Sequence, residues 1–112
     1  MKIKKNLPIK YQIGAHRLCA SYPDETDAIF EMTTYVMSSN KRKKSWKPDD
    51  FKFKMDDMKN IFPDIGNDDF KERIKTILSA LHKNNDIRIA ETEDATRVIA
   101  VTEQGLLKLY DI

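Results

Sequence analysis

The stretch Asn40-Lys41-Arg42-Lys43-Lys44-Ser45-Trp46-Lys47 sets five cations around one indole. Lysine and arginine contacts to phosphate supply most sequence-independent affinity for DNA, and an indole either stacks on a base or anchors the loop that carries it. Lys41, Arg42, Lys43, Lys44, Trp46 and Lys47 are therefore candidate DNA-binding residues, against the plainer reading of a solvated loop. A second set, Lys71, Arg73, Lys75, Thr76 and Ser79, offers side chains that read base edges or grip phosphate. Its plainer reading is the wet face of a helix.

Other chemistry finds little material. Asp56-Asp57 and Asp68-Asp69 fall where helices are expected to begin, and carboxylates there stabilise the positive end of the helix dipole without acid–base duty. His16 and Cys19 stand three apart, but a closed zinc site needs four ligands and His82 is the one other histidine or cysteine. There is no glycine-rich phosphate loop, nucleophile elbow or metal-protease pattern, so no enzyme activity and no cofactor are expected. Met32, Met37, Met55 and Met58 sit among other apolar residues at helical spacing and read as core filling rather than an adaptable binding surface.

The elements that must position these residues fit one domain. A chain of 112 residues with a 40% hydrophobic and 34% charged composition folds around a single core. With one cysteine, Cys19, no internal disulfide can form, which points to a reducing compartment such as the cytoplasm. The Lys-rich start is too broken for a signal peptide and no segment is apolar enough to span a membrane. Net charge is +2, unevenly spread: Met1 to Lys47 holds ten basic residues against four acidic, and Asp86 to Ile112 holds three against six. The positive field belongs to the N-terminal part.

Tyr11 to Tyr22 has no clean period, although a short helix on the core is one reading. Pro23 and Asp24 signal a helix start, and Ala28, Ile29, Met32, Tyr35 and Val36 then recur at three-and-four spacing to about Ser39. Phe51-Lys52-Phe53-Lys54 alternates, which in a short strand sends both rings one way and both lysines the other. Met55, Met58 and Ile61 predict a two-turn helix before Pro63. Asn67 then reads as the N-cap of a helix from Asp68 to Lys83, whose Phe70, Ile74, Ile77, Leu78 and Leu81 share an arc of roughly 100°. Ile87 to Val101 predicts a β-hairpin with a polar tip at Glu91 to Ala95, and from Thr102 the chain either starts a last helix or continues extended.

In that order the elements resemble a winged helix-turn-helix over roughly Ser21 to Tyr110. The close Val101-Thr102-Glu103-Gln104-Gly105-Leu106-Leu107 is similar to the Leu-Thr-Glu-Lys-Gly string that follows the wing in many bacterial and phage regulators. A fainter likeness, in Asp69 to Ile74 and Asn85 to Ile89, is to winged-helix domains of plasmid replication initiators, though this chain lacks the proline those often carry mid-helix and has room for one such unit. The expected fold is therefore α+β, a winged helix-turn-helix at 21–112 with three core helices, a C-terminal β-hairpin wing and a short extra strand, behind an N-terminal extension at 1–20. The resemblance implies that helix 68–83 lies in the major groove of double-stranded DNA with the hairpin tip near the backbone or minor groove. A transcriptional regulator or replication accessory from a plasmid, phage or bacterial genome is the expected function, acting as a homodimer because one module alone grips weakly. Asp68, Asp69, Glu91, Glu93 and Asp94 oppose phosphate, and the alternative is a winged-helix module that binds a protein partner and no DNA.

Overall fold

The computed structural model describes residues 1–12 and 22–112, and its order of elements is strand, short helix, long helix, strand, short helix, long helix, hairpin, short helix and strand. The His16–Cys19 pair and most of the segment Tyr11 to Tyr22 lie outside the described residues.

The first long helix, α2 (Glu25–Ser39), follows the short helix α1 (Ile9–Gln12). Asp24 caps it: its carboxylate accepts the Asp27 N–H at 2.7 Å, and the Asp27 carboxylate accepts the Asp24 N–H in return. That reciprocal box fixes where the helix starts and turns Ala28, Ile29, Met32 and Val36 into the core. The helix stops at Ser39, where the Asn40 N–H turns back to the Met37 carbonyl.

Strand β2 (Lys52–Lys54) realises the alternation seen in the sequence: Phe51 and Phe53 are buried, and Lys52 and Lys54 are exposed. A 3-10 turn at Met55–Asp57 leads into α3 (Met58–Ile61), which buries Met58 and Ile61. All four methionines named above touch the core, Met32 and Met58 fully buried and Met37 and Met55 partly.

The second long helix, α4 (Asn67–Lys83), has a different start from the one its sequence predicts. Gly66, in extended conformation, is the N-cap; Asn67 is the first helical residue and no side chain caps the end. The buried Ile65 holds the preceding turn in place, and the helix begins one residue early; the Asp69 N–H donates to the Gly66 carbonyl at 3.1 Å, and Asp68 and Asp69 in the first turn place negative charge at the positive end of the helix dipole. At the other end Asn85 adopts a left-handed φ of 61° while the Asn85 and Asp86 N–H groups donate to His82 and Leu81 carbonyls. This is a Schellman closure with asparagine at the left-handed position.

The hairpin comprises β3 (Ile87–Glu91) and β4 (Arg97–Val101). With β2 it forms an antiparallel sheet in the order β2-β4-β3. Glu91, expected in the tip, belongs to the strand and pairs with Arg97; the tip is Thr92 to Thr96. The final stretch does both things its sequence allowed, a short helix α5 (Glu103–Leu106) capped by Thr102 and then β5 (Tyr110–Asp111). β5 pairs antiparallel with β1 (Lys2–Ile3), Lys2 opposite Asp111. Met1, Ile3 and Leu7 pack on the core and Tyr11 is buried in it, so the first twelve residues adhere to the body. The fold is α+β with small antiparallel sheets. No helix among the described residues is long and apolar enough to cross a membrane.

Candidate nucleic-acid interface

The basic loop is pinned rather than loose. Trp46 is half-buried with its ring centroid 5.5 Å from that of Phe51, itself fully buried, so the indole anchors the loop to the core. The Lys43 ammonium lies 5.6 Å from the Trp46 centroid and 3.1 Å from an Asp50 carboxylate oxygen. Asp50 also accepts the Lys47 N–H at 2.7 Å, and this bond, followed by the one from Lys43, holds its carboxyl below the ordinary value. Lys43 is thus locally neutralised, whereas Lys41, Arg42, Lys44 and Lys47 are exposed and form no ion pair among the described residues.

The α4 set divides in the same manner. The Arg73 guanidinium sits 4.1 Å from the Tyr22 ring centroid and is half-buried, and the Thr76 hydroxyl donates to the Glu72 carbonyl at 2.9 Å. Lys71, Lys75 and Ser79 are exposed and recur every four residues, a stripe that Lys83 continues. Over twelve residues at 1.5 Å each the stripe is about 18 Å long. Below it Ile74, Ile77, Leu78 and Leu81 are buried, and Phe70 is half-buried beneath the Lys59 ammonium at 5.9 Å.

At the hairpin tip the Asp94 carboxylate accepts bonds from the Thr92 hydroxyl and, at 3.3 Å, the Thr96 N–H. Those bonds hold Asp94 below the ordinary carboxylate value, so the tip carries a fixed anion.

The cleft containing Lys43 and Trp46 is lined also by the C-terminal turns of α2, by Lys52 to Lys54 and by Asp57. Lys43 of the loop is therefore joined there by the two β2 lysines, which in the sequence serve only as strand markers. Their signal was present in the Phe-Lys alternation, which already sent both lysines to the solvent face. Among the described residues no group of three or more histidine, cysteine or carboxylate side chains is arranged to hold a metal ion.

No family model, curated protein or solved structure matches the chain.

Proposed function

We propose that this chain is a winged-helix protein that binds double-stranded DNA and serves as a transcriptional regulator or replication accessory without enzymatic activity. The element order helix, strand, helix, helix, hairpin and the β2-β4-β3 sheet order support the fold assignment. The observation that carries the functional reading is the exposed stripe Lys71, Lys75, Ser79 and Lys83 on the outer side of the longest helix, backed by a buried apolar side. In such a reading α4 enters the major groove and the loop cations Lys41, Arg42, Lys44 and Lys47 grip phosphate, with two copies sharing the site.

A second reading, a protein-binding module, is favoured by one set of residues. Asp68 and Asp69 open α4 and Glu93 and Asp94 occupy the hairpin tip, so the points that would approach phosphate most closely are acidic.

Gel-shift titrations across a salt series separate the two. Neutralising Lys41, Arg42, Lys43 and Lys44 to Gln is expected to weaken binding to every duplex and to flatten the salt slope by about 0.9 for each phosphate no longer neutralised, roughly three in all because Lys43 is already paired. Lys75→Ala with Ser79→Ala is expected to change which sequence is preferred. Duplex binding that ignores both variants, with a stable protein complex isolated in parallel, would favour the second reading.

A further inference from the structure

The central strand β4 alternates strictly: Ile99 and Val101 face the core, and Val98 and Ala100 face outward. Ala100 is the register partner of both Lys52 on β2 and Arg88 on β3, and Val98 is the partner of both Lys54 and Ala90. Residues opposed across strands share a face. The outer side of the sheet therefore carries a row Lys52–Ala100–Arg88 and beside it a row Lys54–Val98–Ala90, with the outer cations of the first row two strand spacings apart at the backbone, about 9.5 Å. Lys52, Lys54, Arg88 and Ala90 are exposed, and the three cations form no ion pair among the described residues.

We propose that this outer sheet face is a second polyanion surface, continuous with the basic loop, that takes the phosphodiester backbone of a nucleic acid. The proposal rests on the nucleic-acid reading above but not on α4. Three features carry it. The cleft that holds Lys52 and Arg88 has small residues for its floor, Ala90, Val98 and Ala100, so a sugar-phosphate backbone can lie close to the sheet. Lys52 and Lys54 also line the cleft of Lys43 and Trp46, which extends the cations from β3 across β2 into the loop. On the sheet face the carboxylates stand at the ends of the strands, Asp49 and Glu103 at one and Glu93 and Asp94 at the other, while the crossing into the loop cleft meets Asp50, paired with Lys43, and Asp57. A polyanion is thereby repelled from running along the strands and favoured in crossing them between Arg88 and Lys52, on the side of the sheet that borders the loop at Lys43.

The test is fluorescence anisotropy with a labelled duplex and with its separated single strand, each across a salt series, using the full chain. Lys52→Gln, Lys54→Gln and Arg88→Gln combined should weaken binding and reduce the salt slope by about 2 to 3. Lys52→Arg with Lys54→Arg should retain the wild-type slope. Because all three side chains are exposed, urea midpoints should coincide; if the triple variant does not fold, Lys54→Gln and Arg88→Gln singly should each lower the slope by about 0.9. An unchanged slope in these variants, alongside a reduced slope in the loop variant, would overturn the sheet-face assignment and leave DNA binding standing. Wild-type protein that binds neither probe at low salt would overturn both.

Discussion

Gly105 shows how one atom's absence can hold a junction together. A Cβ there would collide with the Asp86 carbonyl oxygen, and that carbonyl is already fixed by the Thr102 N–H at 2.9 Å. Gly105→Ala should cost about 1–3 kcal/mol by overpacking, read as a lower urea midpoint with unchanged cooperativity. Beside it Asp86 is fully buried, with one carboxylate oxygen 2.6 Å from the Lys108 ammonium and the other without a hydrogen-bond partner. Lys108→Met keeps the stem and removes the charge, so the destabilisation, on the order of 3 kcal/mol, should be largely relieved by also changing Asp86→Asn. A double-mutant cycle in urea checks this, and two additive single effects would sink the pairing. The Thr102-to-Gly105 string was legible as a helix start. That its glycine exists to admit a carbonyl from the far side of the hairpin was not, because an approach between residues so distant in the chain leaves no mark in local spacing. The same limit applies to Trp46, whose anchoring role depends on Phe51 meeting it.

Among elements, those with long apolar periods were the readable ones. α2, α4 and the hairpin announce themselves because several turns or alternations repeat the same choice of face, and one ambiguous residue does not change the outcome. α4's start slipped by one because Asn and Gly both satisfy a cap, and the choice was made by the buried Ile65. The pairing of β1 with β5 was invisible, since two-residue strands at opposite ends of a chain have no period to read. The candidate site was half legible: charge type gave the loop and the helix stripe, while the sheet register was needed to bring Lys52, Lys54 and Arg88 together. At the hairpin tip Ala95 adopts φ 64°, a left-handed conformation that costs an alanine about 1–2 kcal/mol relative to glycine. Ala95→Gly should therefore raise the thermal midpoint, with a gain of about 1 kcal/mol after the entropy of the more flexible unfolded chain is discounted. A fall in the midpoint would contradict the left-handed assignment.

At the scale of the molecule, stability should be bounded by pH on both sides. Asp27 accepts bonds from the Tyr11 hydroxyl at 2.5 Å and the Lys10 ammonium at 2.9 Å. Burial pushes the Asp27 carboxyl up, but these bonds outweigh it and the carboxyl ends below its ordinary value. A carboxyl depressed in the folded state contributes stability above its unfolded value and loses it as pH falls through the folded one, so an acid limb opens below about pH 4. Burial, then the bond to Asp27, pushes the Tyr11 hydroxyl up from 10.0 to about 12, and burial also raises Tyr110 although its bond with Thr33 opposes this. Stability from these phenols is fully present below pH 10 and lost as pH rises toward 12. Urea midpoints measured across pH should fall at both ends, and Tyr11→Phe should shrink the alkaline loss.

With Lys2 hydrogen-bonded in register opposite Asp111, the two ends of this chain leave the body side by side. A short tether from Ile112 to Met1 would then close the chain without moving an element, and new ends opened at the Lys44–Ser45 bond would lie in exposed, irregular chain. In such a circular permutant the four leading cations would hang from the last residues while Trp46 stayed seated on Phe51, so the grip on phosphate and the anchoring of the loop become separately adjustable.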